Sequence, residues 1–329
     1  MHSPRSAMTS RPDGSTDDDA RIAVLIPCYD EERTIAGVVA DFRSALPHAT
    51  IYVYDNNSRD RTAEVAMAAG AIVRREPQQG KGRVIRRMFA DVEADIYVLV
   101  DGDDTYEAAA APHMVDMLRR QSLDMVTGCR VAAADKCYPA GHAFGNAMIT
   151  GVVTTIFGRR TRDMLSGYRV FSRRFVKSFP ALAAGFETET EFTVHALELK
   201  MPIGCYDTVY GERPEGSESK LSTFRDGFRI AWMIFHLLKA ERPFTLFGVI
   251  GLTCALVSLA LGAPVIFDYL RSGLVERFPT AILSSAIMVI GVLSVMTGIV
   301  LDSVAHGRRE VKRLAYLRLG APPPPAELP

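Results

Sequence analysis

The sequence lacks several features that would assign a protein to a familiar class. Its 38 basic side chains are matched by 38 acidic ones, so no excess of positive charge indicates a nucleic-acid partner. The five cysteines form no C-x-x-C pair, so no zinc-binding spacing is present, and we expect free thiols in a reducing compartment. Neither the P-loop pattern G-x-x-x-x-G-K-[ST] nor the dinucleotide-binding pattern G-x-G-x-x-G occurs.

What the sequence does have is an alternation of short apolar runs and amphipathic segments between Arg21 and Cys129. The runs RIAVLIPCY, TIYVYD and DIYVLVD are rich in β-branched residues, whereas EERTIAGVVADFRSAL carries apolar residues at helical spacing. This alternation predicts an α/β domain with a mostly parallel sheet and helices on both faces. Such sheets bind ligands beyond the carboxyl ends of their strands, where Asp55 and Asp101 stand.

Two long uncharged runs occupy the last third of the chain, at residues 244–267 and 281–301. Each is close to the roughly 20 apolar residues needed to cross a bilayer, so we predict a transmembrane hairpin. Both outer flanks are basic, which by the positive-inside rule predicts a multi-pass protein of the inner, cytoplasmic membrane with the α/β domain in the cytoplasm. Small residues four apart, Gly251/Ala255 and Ser258/Gly262, would allow close helix contact within the hairpin or in a homo-oligomer.

These patterns divide the chain into five parts. The first is a polar segment, 1–20, that has no apolar signal core and that we expect to be a disordered tail. The others are the α/β domain at 21–222, an amphipathic juxtamembrane helix at 223–243, the hairpin at 244–301, and a basic, Pro-rich cytoplasmic tail at 302–329. A helix facing the core of the α/β domain is the alternative for 223–243.

The stretch DGDDTY, from Asp101 to Tyr106, follows a predicted strand and contains a D-x-D pair. Carboxylates spaced in this way suit Mg²⁺ or Mn²⁺, and a cation there could also hold a diphosphate. An Asp-rich solvated turn is the alternative, since Asp and Gly favour turns. The GKG stretch at a predicted helix start offers Lys81 and free backbone N–H groups to phosphates.

Six motifs carry a resemblance to a known family. They are VLIPCYDEERTI, YDNNSRDRT, GKG, DGDDTY, DMLSGYRVFSRR and ERPEGSESKL, in this order between Arg21 and Phe228. In this order they resemble family 2 glycosyltransferases of the GT-A fold, and more narrowly the polyprenyl-phosphate glycosyltransferases related to dolichol-phosphate mannose synthase. The resemblance implies a GT-A (Rossmann-like) domain and inverting, metal-dependent sugar transfer from a nucleotide sugar to a polyprenyl phosphate of the undecaprenyl type, for cell-envelope glycan or lipid modification.

The resemblance also implies roles for individual residues. The nucleotide would be bound by Pro27, Tyr29, Glu31, Asp55, Lys81 and Asp101. The metal, Mg²⁺ or Mn²⁺, would be held by Asp101 and Asp103. The acceptor phosphate would be bound by Arg130, Arg169, Arg213, Ser219 and Lys220, with Asp163 orienting Arg169 or the sugar. Asp101, Asp103, Asp163, Arg130 and Arg169 form the predicted catalytic set.

Two departures from the family pattern bear on the donor. Asn56 and Asn57 replace the acidic and glycine positions of D-D-G-S, and Thr105 stands where many mannose enzymes have Gln. The variant looks more like members that handle UDP-N-acetylhexosamines, so we favour a UDP-sugar over GDP-mannose. A membrane-tethered nucleotide-sugar-binding module without catalysis remains the alternative of another class.

One acidic run has two interpretations. It comprises Glu187, Glu189 and Glu191 in FETETEF. It is either a solvated face or the source of one carboxylate in the acceptor site. The isolated histidines, among them His195, are expected to be structural because no paired-ligand spacing accompanies them.

Overall fold

The structure is a computed structural model, and it describes residues 20–132, 162–181, 188–211, 235, 239 and 242–322. The strands of the α/β domain are β1 (Ile22–Cys28), β2 (Thr50–Asp55), β3 (Ile72–Arg75), β4 (Ile96–Leu99), β5 (Met125–Ala132), β6 (Arg169–Ser172) and β7 (Ile203–Tyr210). Its helices are α1 (Ile35–Ala45), α2 (Thr62–Ala68), α3 (Lys81–Asp91), α4 (Ala110–Arg120), α5 (Arg173–Ser178) and α6 (Thr188–Glu198). Two long helices follow, α7 (Pro243–Ser272) and α8 (Phe278–Leu317).

The seven strands form one mixed sheet in the order β3-β2-β1-β4-β6-β5-β7. All neighbours pair in parallel except β6, which runs antiparallel to both β4 and β5. The predicted α/β class with a mostly parallel sheet is therefore confirmed. The strand β6, RVFS, was not among the predicted strands, and it inserts into the middle of the sheet.

Apolar side chains cover both faces of the sheet. On one face α1 buries Ile35, Val38, Val39 and Phe42, the residues whose helical spacing predicted it. On the other face α3 buries its apolar stripe beside α5 and α6. Each buried side chain of this size contributes roughly 1.5–3 kcal/mol, so the two layers hold the strand ends in a fixed arrangement.

Helices α7 and α8 are each long and apolar enough to cross a membrane, and they pack against each other. A Cβ on Gly251 would meet Val295 and the Gly291 carbonyl within 3 Å, so the small residue permits the close crossing. The Ser258 hydroxyl donates to the Ser284 carbonyl across the pair at 2.7 Å. The small-residue spacing therefore serves contact within the hairpin.

Helix α8 extends well past the predicted end of the second span. Residues 302–317 were expected to begin a cytoplasmic tail, but they continue the helix and contact α5 of the α/β domain. Part of the predicted tail is thus helical and packed on the domain, and its place in the cytoplasm stays a prediction. The juxtamembrane helix predicted at 223–243 falls almost entirely outside the described residues, as do Arg213, Ser219, Lys220 and Glu187.

One disulfide corrects the expectation of free thiols. Cys129 on β5 and Cys205 on β7 are bonded, with Cα atoms 6.0 Å apart. The two residues are separated by 76 positions in sequence and meet only because β5 and β7 are neighbouring parallel strands. Cys28 and Cys254 are free, as expected.

Candidate active site

The carboxyl ends of β1, β2, β4 and β5 lie on one side of the sheet, which we call the carboxyl edge. The buried thiol of Cys28 lies at this edge, and its pKa depends on the carboxylates that surround it. Burial, followed by the charges of Glu31, Asp55, Asp101 and Asp103, raises the pKa of Cys28 well above its ordinary value. The fold therefore gathers at this edge four of the carboxylates that the sequence predicted to act together.

The ammonium of Lys81 lies between two carboxylates. Its Nζ is 2.6 Å from Asp101 Oδ1 and 2.6 Å from Glu189 Oε1. Burial alone would lower the pKa of Lys81, but Asp101 and then Glu189 outweigh burial and raise that pKa, so the side chain stays charged. Asp101 keeps 27% of its side chain exposed, and its carboxylate therefore remains accessible to a ligand.

A glycine turn sets the position of Lys81. Gly80 has φ of +137°, a conformation that strongly favours glycine, and α3 begins at the next residue. The Gly80 N–H donates to Asn56 Oδ1 at 2.7 Å, and the Asn56 amide donates to the carbonyls of Glu76 and Gln78. Asn56, which departs from the family pattern, thus connects the end of β2 to the loop before α3.

Asp103 lies at the same edge and is 5% exposed, and its Oδ1 accepts a 2.6 Å hydrogen bond from the Thr105 hydroxyl. Asp104 is exposed and has φ of +56°, so its side chain leaves the cluster. Burial, followed by Asp41 and Asp103, raises the pKa of Asp104. The Thr34 hydroxyl donates to the Gly102 carbonyl at 2.6 Å and holds the D-x-D turn against the start of α1.

The predicted nucleotide residues follow β1 and β2. Pro27 lies in β1 opposite Tyr54, and Tyr29 and Glu31 are half-buried in the loop that follows. The Glu31 N–H donates to the Thr62 hydroxyl at 2.8 Å, which joins this loop to α2. Asp55 is 3% exposed at the end of β2. The structure therefore brings these residues to the same edge as Lys81 and Asp101.

Arg130 and Asp163 form a closed pair at the same edge. Arg130 Nε donates to Asp163 Oδ2 at 2.7 Å, and Nη2 donates to Oδ1 at 2.8 Å. Burial would raise the pKa of Asp163, but its hydrogen bonds and the charge of Arg130 lower it, so the acid is ionised. The guanidinium also lies over the Tyr210 ring, 5.4 Å from its centroid. Asp163 therefore orients Arg130 and makes no hydrogen bond to Arg169, so the first of its two predicted roles is corrected and the second, orienting the sugar, stays a prediction.

Arg169 does not lie where it could touch an acceptor phosphate. The side chain is fully buried, with Nε donating to the Ser166 carbonyl at 3.0 Å and Nη2 to the Met164 carbonyl at 2.7 Å. Nη1 donates to the Thr193 hydroxyl at 2.9 Å. Burial lowers the pKa of Arg169 to about 10. The predicted phosphate contact is corrected to a structural role, in which Arg169 ties the S-G-Y-R turn to α6.

The S-G-Y-R turn packs directly on the D-x-D turn. A Cβ on Gly167 would overlap the carboxylate of Asp101, so only glycine allows this approach. The Gly167 N–H donates to the Tyr106 hydroxyl at 3.0 Å, and the Ser166 hydroxyl donates to the Gly128 carbonyl at 2.6 Å. Two motifs that are more than fifty residues apart in the sequence thus form one surface.

Glu189 also belongs to this cluster, although the sequence assigned it no definite role. Its acidic run had two interpretations, and the structure rules out a solvated face because Glu189 is 5% exposed. Oε1 pairs with Lys81, whereas Oε2 is buried and makes no hydrogen bond within the described residues. The signal in the sequence was an acidic run near the start of a helix, and a solvated helix face has the same pattern.

Comparison with known proteins decides the family. Residues 23–179 match the model described as "Glycosyl transferase family 2". Glycosyltransferase AglJ of Haloferax volcanii is 32% identical over 299 residues, which cover 90% of this chain and 98% of that protein. The chain belongs to glycosyl transferase family 2. It is thus a glycosyltransferase, and the predicted family is confirmed.

Two further relatives extend the comparison. The dolichyl-phosphate hexose transferase of Haloferax volcanii is 26% identical over 67% of this chain and 95% of that protein. The crystal structure of glucosyl-3-phosphoglycerate synthase from Mycobacterium tuberculosis, with Mn²⁺, UDP and phosphoglyceric acid, has a TM-score of 0.54. That likeness covers 67% of this chain and 78% of the other at 21% identity, and it confirms the GT-A-like fold.

Proposed function

We propose that this glycosyltransferase transfers a sugar from a nucleotide sugar to a polyprenyl phosphate in the membrane. The observation that carries the proposal is that one chain joins a family 2 site to two apolar helices, the second of which continues onto the catalytic domain. The relative named dolichyl-phosphate hexose transferase supports a lipid phosphate as the acceptor. A UDP-sugar is the favoured donor, and the neighbour crystallised with UDP supports that choice.

The donor site is proposed at Asp55, Lys81, Asp101 and Asp103. Carboxylate oxygens are the hard donors that Mg²⁺ and Mn²⁺ prefer, and one or two carboxylates with substrate phosphates make up a typical magnesium site. The nearly buried Asp103 and the accessible Asp101 fit that donor set. When bound, the cation would neutralise charge on the diphosphate leaving group.

Lys81 would act beside this site in a way that its geometry favours. Its ammonium is charged and is held by Asp101 and Glu189. It lies within hydrogen-bond distance of Asp101, the carboxylate that a diphosphate would approach. Three donors on a flexible stem allow the ammonium to keep Glu189 while it turns toward a phosphate oxygen. Glu189 is then the residue that prevents Lys81 from being pulled away from the edge.

The acceptor phosphate would meet Arg130, which is half-buried and oriented by Asp163. A polyprenyl phosphate needs no general base, because its second ionisation lies near pH ~6 and the oxygen is already anionic. That oxygen attacks the anomeric carbon and forms the new C–O bond. The bond from the anomeric carbon to the diphosphate breaks, and its electron pair leaves on the phosphate oxygen. The protein's part is to place two anions side by side and to offset their repulsion.

The test is a transfer assay of the full-length protein in detergent with undecaprenyl phosphate, Mg²⁺ or Mn²⁺, and a panel of nucleotide sugars. We expect one nucleotide sugar to yield a lipid product whose mass names the sugar, and chelation of the metal to stop the reaction. Nucleotide-sugar binding with no lipid product under any donor would instead support the non-catalytic binding module. Transfer only to a water-soluble acceptor would overturn the lipid acceptor.

A further inference from the structure

The end of α8 is docked on the catalytic domain through two buried carboxylates. Lys312 Nζ lies 2.6 Å from Glu198 Oε2, and Arg309 Nε lies 3.6 Å from Oε1. The Glu198 side chain is 1% exposed. A carboxylate so deeply buried depends on its partners, since removal of a partner leaves an uncompensated charge away from water. The membrane-proximal helix therefore supplies charges that the catalytic domain needs.

A second contact lies one turn further along α8. The Tyr316 hydroxyl donates to Asp124 Oδ2 at 2.9 Å, and Asp124 is fully buried at the start of β5. Arg174 of α5 also pairs with Asp124, and its guanidinium lies 5.0 Å from the centroid of the Tyr316 ring. The contact combines a hydrogen bond, a cation–π interaction and ring packing against the core. The two contacts together fix both the position and the rotation of the helix end.

Helix α6 joins this contact to the active site. Glu198 is the last residue of α6 and pairs with Lys312. Glu189 lies in the first turn of α6 and pairs with Lys81. The two glutamates are nine positions apart, or about 14 Å along the helix axis. A shift of the Glu198 end of α6 is therefore transmitted to the Glu189 end. Through Lys81 it reaches Asp101.

We propose that residues 302–317 of α8 are a working part of the catalytic domain, and that Lys312 and Arg309 are positioning residues for Lys81 and Asp101. They act through α6 and touch neither substrate. The consequence is that the membrane hairpin anchors the domain and also completes the donor side of its active site. The inference rests on the proposed function only for the identity of the donor.

The experiment uses the full-length protein in detergent and replaces Lys312 with methionine, which keeps the length of the side chain and removes its charge. Hydrogen exchange without any ligand should become about tenfold faster in α6 and in the first turn of α3, where the Arg83 and Val84 amides bond to Gly80. Titration with UDP and Mn²⁺ should show a dissociation constant about 3- to 30-fold higher than that of the parent protein.

Two matched variants separate positioning from general damage. Lys312→Arg keeps the charge and should restore both exchange and UDP affinity to near the parent values. Arg313→Met removes the charge of the next residue, which is exposed on the same helix, and should change neither. If Lys312→Met fails to fold, Tyr316→Phe, which removes only the hydroxyl bond to Asp124, should show the same pattern with a smaller change.

The outcomes are distinguishable from those of the proposed function. Unchanged exchange at α3 and α6 in Lys312→Met would overturn the inference, as would faster exchange with unchanged UDP affinity. A parent protein that binds no nucleoside diphosphate would instead overturn the proposed donor. In that event the inference is tested by hydrogen exchange in the ligand-free protein alone. Faster exchange in the first turn of α3 in Lys312→Met would support it, and unchanged exchange would overturn it.

Discussion

The two ends of the central sheet both hold buried charges, but they use them differently. At the carboxyl edge, Asp101 keeps a quarter of its side chain exposed beside the charged Lys81. At the opposite end, which we call the docking edge, Asp124 and Glu198 are 0% and 1% exposed. There the partners come from the end of β6, from α5 and from the end of α8.

The difference shows what a buried charge is for in this protein. The charges at the docking edge are paired with side chains of the same chain and are shielded from water, so they fix the position of α8. At the carboxyl edge, Asp101 is held in place by Lys81 but stays within reach of a ligand, which is what chemistry requires. Loss of an accessible charge at the carboxyl edge should therefore lower activity directly, whereas loss of a buried charge should lower stability and reach the site only through the elements packed on it.

Asp103→Asn should give the largest effect, because it removes charge at the carboxyl edge with little change in shape. We expect transfer to fall by about a thousandfold, the upper end for the loss of one preorganised electrostatic group. Initial-rate assays over a metal series, with the thermal midpoint measured in parallel, provide the check.

The matched control is Asp104→Asn, one residue on, which is exposed and keeps a backbone conformation that Asn tolerates. It should retain most of the activity. Near-full activity of Asp103→Asn with unchanged metal dependence would show that the carboxyl edge is another closed cluster, and the comparison of the edges would then fail.

Arg169→Met should affect stability more than activity, although the sequence assigned Arg169 to the acceptor. The variant strips the Ser166 and Met164 carbonyls and the Thr193 hydroxyl of their donor in a fully buried place. Leaving a buried polar group without its hydrogen-bond partner costs about 1–3 kcal/mol. Denaturant or thermal unfolding in detergent measures it. A normal unfolding midpoint combined with a raised KM for the lipid would restore the original assignment.

The contrast between Arg130 and Arg169 shows how far the sequence can be read. Local patterns predicted the strands and helices up to β5 and the strand-end position of the carboxylates, because period and turn chemistry are local. Arg130 meets an acid 33 residues away, and Arg169 meets a hydroxyl 24 residues away on another helix. Both stand in similar motif contexts, and only the tertiary fold decides which arginine stays accessible.

The same reasoning explains what the sequence missed at the docking edge. The basic residues after the second span were interpreted as flanking charge, which is correct for most such clusters. Lys312 and Glu198 are 114 residues apart, and nothing local marks either as buried. Strand β6 was missed for a related reason, since a four-residue antiparallel strand owes its stability to both neighbours.

Arg130→Ala tests the acceptor side of the carboxyl edge. Hydrogen bonds to a charged group contribute about 1.5–3 kcal/mol, so the KM for polyprenyl phosphate should rise by roughly 10- to 100-fold. The KM for the nucleotide sugar should change much less. Steady-state kinetics with each substrate varied in turn measures both.

The variant also leaves Asp163 buried without its partner, so a companion is needed. The double variant Arg130→Ala with Asp163→Asn removes the stranded charge and should recover stability without recovering the KM. Equal increases of KM for both substrates would count against phosphate docking at Arg130.

His195 offers the smallest effect, at the docking edge. It lies one turn before Glu198, hydrogen-bonded to the Ser178 hydroxyl and packed against Phe175 and Phe179. Burial and then the charge of Lys312 lower the pKa of His195 to about 3. The folded-state pKa lies below the unfolded value near 6.5. The contribution of neutral His195 to the free energy of unfolding is therefore fully present above pH 6.5 and is lost as the pH falls toward 3.

At pH 5.5 the unfolded state binds a proton at His195 that the folded state does not, which lowers the free energy of unfolding by about 1.4 kcal/mol relative to pH 7.5. Unfolding of the parent protein and of His195→Gln at the two pH values measures the difference between them. The glutamine keeps a hydrogen-bond partner for Ser178 and cannot titrate. The free energy of unfolding that this variant loses between pH 7.5 and pH 5.5 should therefore be smaller than that of the parent protein by about 1.4 kcal/mol. If the free energy of unfolding had the same pH dependence in both proteins, His195 would be exposed to water, and the docking edge would not bury it.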